Sequence, residues 1–81
     1  MRVHLKYCSA RNYEPQAVSL TVKLLTNFKQ RITQLELEPS QGGCFELTVG
    51  DELIYSKLAT HKFPDEAVMI AEVGKRLPLR R

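Results

Sequence analysis

Arg2-Val3-His4-Leu5-Lys6-Tyr7-Cys8-Ser9-Ala10-Arg11-Asn12-Tyr13-Glu14-Pro15 is the stretch that decides the architecture. Up to Tyr7 it alternates, with Arg2, His4 and Lys6 on one parity and Val3, Leu5 and Tyr7 on the other. That period of two predicts a strand with one wet face. Cys8 to Asn12 is turn-forming. Pro15 suits the first turn of a helix, and Glu14 beside it favours the positive end of the helix dipole. The segment is therefore a strand, a short loop and a helix, with a cysteine where the strand ends.

The helix runs to about Lys29, with a start as early as Arg11. Val18, Leu24, Leu25 and Phe28 are expected on its buried stripe, bordered by Ala17 and Thr21. Residues 32–38 alternate again, with Leu35 and Leu37 inward and Gln34, Glu36 and Glu38 outward. After the turn-rich Pro39-Ser40-Gln41-Gly42-Gly43, Phe45, Leu47 and Val49 alternate with Cys44, Glu46 and Thr48. Val49-Gly50-Asp51-Glu52 predicts a hairpin with a two-residue turn and a return strand over 52–57. Pro64-Asp65-Glu66 opens a last helix, its apolar face drawn from Ala67 or Val68, Ala71 and Leu77, and Pro78 stops it.

The order β-α-β-β-β-α makes an α/β chain of the two-layer, α+β kind, one domain over residues 1–81. The first two strands are joined by a helix and should be parallel, with a right-handed crossover. The last two form an antiparallel hairpin, so the four-stranded sheet is mixed. A sheet covered on both sides reads as continuous apolar runs, whereas these strands alternate. Both helices are therefore expected on one face. The other face is left to water and carries His4, Lys6, Glu36, Glu46 and Thr48, with Cys44 on their parity. Ile54 falls at that parity too, an apolar spot on a polar face.

Composition narrows the function. The chain has 81 residues, 43% hydrophobic and 26% charged, which is ordinary for a folded domain with a small core. No apolar run approaches the roughly 20 residues of a membrane span, and the charged start Met1-Arg2-Val3-His4 reads as neither signal nor anchor. A cytoplasmic protein is expected. The net charge of +3 is scattered, without the basic face and aromatic platforms of a nucleic-acid binder, so no nucleic-acid partner is expected. His4 and His61 are far apart in sequence, and with only two cysteines the chain shows no zinc-knuckle pattern, so no metal site is expected. Self-association through the hairpin edge or the open face is compatible with the pattern, giving a monomer or weak dimer.

Cys8 is the candidate nucleophile. A thiolate at the end of a strand, before a helix N-terminus, is stabilised by unpaired N–H groups and the dipole. Arg11 adds a fixed positive charge three residues on, and both effects lower a thiol pKa. The competing reading is a buried, inert cysteine closing the strand. For Cys44 two readings are likewise open. It either pairs with Cys8, which needs Cα atoms within about 7 Å and convergent Cβ vectors, or it is a semi-exposed strand cysteine.

The chain resembles the selenoprotein W / Rdx family of small thioredoxin-like proteins. The matching pieces are Tyr7-Cys8-Ser9-Ala10-Arg11-Asn12-Tyr13, Gly42-Gly43-Cys44-Phe45-Glu46-Leu47-Thr48-Val49, Leu53-Ile54-Tyr55-Ser56-Lys57 and Phe63-Pro64. The resemblance implies a thioredoxin-like fold, a Cys-x-x-Sec or Cys-x-x-Cys motif in the first loop, and a part in cell redox homeostasis with protein partners. Cys8 fits the first motif position, but Arg11 occupies the second. Arginine cannot attack a disulfide or resolve a mixed one, so dithiol exchange within the motif is lost.

Two functions follow as expectations. In one, Cys8 acts as a single thiol, a weak thiol-disulfide oxidoreductase that forms a mixed disulfide with glutathione or a protein client. Glutathione is then a co-substrate and no cofactor is bound. Arg11 pairs with a glutathione carboxylate, and Gly42 and Gly43 let a peptide-like ligand approach the backbone closely. In the other, the loop of Cys8, Ser9, Ala10, Arg11 and Tyr13 is a redox-silent surface for a protein partner.

Overall fold

The computed structural model describes residues 1–76. β1 (Arg2–Cys8) leads through a 3-10 turn (Ser9–Arg11) into α1 (Glu14–Phe28), and a second 3-10 turn (Lys29–Arg31) leads to β2 (Gln34–Ser40). β3 (Phe45–Val49) and β4 (Glu52–Ser56) follow, then a short helix α2 (Lys57–Thr60) and α3 (Glu66–Arg76). The sheet order is β2-β1-β3-β4. β1 is parallel to β2 and antiparallel to β3, and β3 is antiparallel to β4. The mixed sheet and the hairpin turn at Gly50-Asp51 are as expected. Gly50 has φ +60°, a left-handed conformation that such a turn demands and that glycine adopts without a Cβ penalty.

The core lies between one face of the sheet and the two longer helices. Val3 and Leu5 of β1 and Phe45, Leu47 and Val49 of β3 meet Ala17, Leu20, Leu24 and Phe28 of α1 and Met69 and Val73 of α3. Both helices therefore pack on the same face, and the alternation of β1 and β3 follows from that one-sided burial. On the other face His4 Nε2 and Glu38 Oε1 are 2.8 Å apart.

Several expectations about facing are corrected. The buried stripe of α1 runs through Ala17, Leu20, Leu24 and Phe28, whereas Val18 and Leu25 are 52% and 44% exposed. The sheet meets a line one residue round the helix from the one that begins at Val18. On α3 the buried residues are Met69 and Val73, while Ala67, Val68 and Ala71 are exposed. Leu77 and Pro78 lie outside the described residues. Leu37 is 37% exposed because β2 is an edge strand.

In the hairpin the register steps from Thr48↔Leu53 to Leu47↔Tyr55, so β4 carries Ile54 as an extra, bulged residue. Leu53, opposite Thr48, falls on the open face and is exposed. Ile54 packs against the core cluster, which corrects the expectation of it on the open face. The extra residue sets Tyr55 opposite Leu47, on the core side as well. The return strand also stops earlier than expected. The Ser56 side chain accepts from Ala59 N at 3.2 Å and caps α2. The Glu46 carboxylate, reaching over from β3, accepts from Lys57 N at 3.0 Å.

Candidate functional site

Cys8 is the last residue of β1 and is fully buried, at 0% exposure. Its carbonyl accepts a hydrogen bond from Tyr13 N at 3.1 Å, which folds residues 9–12 back over the strand end. Within that turn Asn12 N donates to Ser9 O at 3.0 Å, and Asn12 is left-handed at φ 59°, a conformation asparagine tolerates better than most residues. Ser9 Oγ donates to Ser40 O of β2 at 3.2 Å. Ala10, Arg11 and Asn12 form the exposed outer surface. α1 opens only at Glu14, with Tyr13 as its N-terminal flank and no side-chain cap. The helix end expected beside Cys8 is thus held off by the Ser9–Arg11 turn.

Cys44 sits between the loop and β3 and is also buried, at 3% exposure. The expectation of a semi-exposed strand cysteine is corrected: β3 begins one residue later, at Phe45. Both cysteines are free thiols. The β1–β3 ladder ends at Tyr7↔Phe45, so Cys8 and Cys44 are the next residues outward on the two strands.

Gly42 and Gly43 both have positive φ, +86° and +75°. A Cβ on Gly43 would lie 3.3 Å from Nη1 of Arg11. The Arg11 guanidinium therefore rests on the Gly43 backbone, and a peptide-like ligand reaching that backbone has to displace it. Gly42 is exposed and clear of other atoms.

Tyr13 stands at the far end of the turn in an aromatic cluster. Its ring meets Phe63 edge-on at 4.7 Å between centroids, and Phe63 meets Phe45 at 5.3 Å. Lys57 Nζ lies 5.2 Å from the ring centres of both Tyr13 and Phe63, a cation–π arrangement. Phe63 and Lys57 were not singled out from sequence as site residues. The available signal was Ser56 as a helix cap, which bends the chain and delivers them. Behind Phe63 a cavity of about 30 Å³ is lined by Gln16, Leu20, Phe45, Pro64 and Glu66 as well. That volume suits water and is far below the roughly 300 Å³ at which small-molecule pockets begin. This cavity is therefore too small to enclose a small-molecule ligand.

The structure thus gathers Cys8, Ser9, Ala10, Arg11, Tyr13, Gly42, Gly43 and Cys44 at one end of the sheet, where β1 hands over to α1 and β3 begins. Among the described residues the ion pairs lie elsewhere. Arg76 Nη2 is 2.9 Å from Glu52 and Nη1 is 2.9 Å from Glu72, tying α3 to β4, and Lys23 pairs with Glu66 between α1 and α3. Among the described residues no helix is long and apolar enough to cross a membrane.

A search of curated proteins finds no match. Among solved structures, a selenoprotein W-related protein from Vibrio cholerae superposes with a TM-score of 0.89 at 25% identity, covering 95% of this chain and 96% of that one. A protein from Bordetella parapertussis gives the same TM-score at 22% identity, covering 94% and 96%, a likeness of fold. The Rdx family model matches residues 2–75, which takes in all four strands, the turn after Cys8 and nearly all of α3. On that match the chain belongs to the Rdx family, a thioredoxin-like, redox-related family that includes selenoprotein W-type proteins.

Proposed function

We propose that this protein is a selenoprotein W-like thiol-redox protein that works through Cys8. The thiol forms a mixed disulfide with glutathione or with a protein client, and an external thiol reverses it. Glutathione is a co-substrate, and no bound cofactor is needed. The observation that carries the reading is the place of Cys8, the last residue of β1 and the one from which the chain enters the Ser9–Arg11 turn; the resemblance makes it the first position of the redox motif. Thiol chemistry there proceeds when the Ser9–Arg11 turn lifts, because a sulfur at 0% exposure cannot meet a second sulfur in line. Arg11 then supplies a planar cation for a ligand carboxylate, and Tyr13 with Lys57 borders a protein-sized contact. The cytoplasm, where thiols are kept reduced, is the compartment proposed, and the working form is a monomer or weak dimer with neither nucleic-acid nor membrane partner.

The test is incubation of the full chain with oxidised glutathione, followed by intact mass and peptide mapping. The reading expects an adduct or an oxidised product that involves Cys8, lost in both Cys8→Ala and Cys8→Ser. Adduct formation that persists unchanged in those variants removes it.

The complete burial of Cys8 favours a second reading, a redox-silent module that presents the Cys8–Tyr13 loop to a protein partner. Under it, partners survive Cys8→Ala and disappear when residues 9–13 are replaced. Partners that require Cys8 and a non-reducing buffer count against it.

A further inference from the structure

We infer that Cys44 is the resolving thiol for Cys8, so that the two form a cross-strand disulfide in place of the pair lost at Arg11; the inference rests on the thiol-redox reading above. β1 and β3 are antiparallel, with Val3↔Val49, His4↔Thr48, Leu5↔Leu47, Lys6↔Glu46 and Tyr7↔Phe45. The two numbers in each of these pairs have a constant sum, and Cys8 with Cys44 is the next pair in the series.

Residues directly opposite on antiparallel strands have Cα atoms about 4.5–5.5 Å apart, and disulfides span about 4.4–6.8 Å. The ladder is not continued at that step, because the chain enters β3 through Gly42 and Gly43 at positive φ. Two adjacent glycines before Cys44 leave its backbone free to adjust as the sulfurs meet. Both thiols are free and shielded from water, at 0% and 3% exposure. A bond between them therefore forms away from competing thiols once the outer partner has been taken up. Arg11, which stands at the family's second motif position, rests on Gly43, the residue before Cys44. Release of that contact therefore frees the segment after Cys8 and the segment before Cys44 together.

The chemistry balances without a further reagent. The Cys8 thiolate attacks one sulfur of a client or glutathione disulfide, forming a mixed disulfide and releasing one thiolate. The Cys44 thiolate then attacks the Cys8 sulfur, the mixed bond breaks, and the second thiolate leaves. The protein dithiol is oxidised by two electrons, the incoming disulfide is reduced to two thiols, and the protons of Cys8 and Cys44 pass to them.

The experiment uses the full chain, oxidised glutathione and tryptic mapping without reduction. The inference expects a species of monomer mass in which the Tyr7–Arg11 peptide is joined to the Ile32–Lys57 peptide. It also expects at least a fivefold accumulation of glutathione on Cys8 in both Cys44→Ser and Cys44→Ala. Stable glutathione on Cys8 of the unaltered protein, with no joined peptides, overturns the assignment of Cys44 and leaves the single-thiol reading standing. If neither cysteine reacts in the folded protein while both react in denaturant, the thiol-redox reading falls and this inference with it.

Discussion

The Arg11 guanidinium packs against the backbone of Gly43, so that a methyl group added there would meet Nη1 at 3.3 Å. The contact joins the turn after β1 to the loop before β3, and it closes the one end of the sheet where both cysteines lie. It also separates two costs that a substitution at Gly43 would carry. The arginine tip is flexible and can yield a few tenths of an ångström, whereas φ +75° is a property of the backbone.

Gly43→Ala is therefore expected to destabilise the fold by about 1 kcal/mol, mainly from the left-handed backbone. Adding Arg11→Ala should not restore that loss. Urea titration of the two single variants and the double variant checks this. Recovery to the unaltered midpoint in the double variant would place the cost in the side-chain contact instead.

Leu20→Ala removes a fully buried side chain between α1 and the sheet, and a loss of about 2–5 kcal/mol is expected. That is a large share of the total stability of a domain this size. Val18→Ala, on the solvent side of the same helix, should change stability by roughly 0.5 kcal/mol or less. Thermal melts of the pair test which line of α1 faces the core, and a reversed order would rotate the helix.

Acid should loosen the attachment of α3. The Arg76 guanidinium hydrogen-bonds the carboxylates of Glu52 and Glu72, and Lys23 hydrogen-bonds Glu66, holding all three below their usual 4.5. A carboxylate with a lowered folded-state pKa contributes stability that is fully present above its unfolded value. That stability is lost as pH falls through the lower, folded value. The melting temperature should thus hold from pH 7 down to about 4.5 and decline below it. Glu52→Gln with Glu72→Gln should flatten the decline and lower the plateau, and 1 M salt should act in the same direction on these exposed groups. An acid limb unchanged by the double substitution would assign it to other carboxylates.

Much of the fold is legible in short-range pattern. Val3, Leu5 and Tyr7 against His4 and Lys6, and Phe45, Leu47 and Val49 against Glu46 and Thr48, reveal both the strands and the one-sided sheet, because alternation reports burial directly. The facing of α1 is not legible in the same way. Val18, Leu20, Leu24 and Leu25 offer two overlapping apolar lines, and only contact with the sheet selects Leu20 over Val18. The side of Ile54 follows from the hairpin register, Val49↔Glu52 and Thr48↔Leu53, which turns Leu53 outward and Ile54 inward. The bulge that then sets Tyr55 opposite Leu47 carries no glycine or proline to announce it. At the site, the residue types from Cys8 to Tyr13 and from Gly42 to Cys44 mark the right end of the molecule. The burial of Cys44 depends on where β3 starts, and the delivery of Lys57 and Phe63 depends on Glu46 receiving the α2 backbone. Those are tertiary contacts that spacing does not encode.

Whether Cys8 is reached by local opening of its turn is measured most directly by iodoacetamide labelling of the Tyr7–Arg11 peptide as a function of urea, below the unfolding transition. A thiol covered only by the Ser9–Arg11 turn should label at a rate nearly independent of urea, since lifting a few residues exposes little surface. The rate should also exceed the rate allowed by global unfolding. A labelling rate that rises with the full urea dependence of unfolding would make Cys8 a core cysteine, and would contradict a redox role for it.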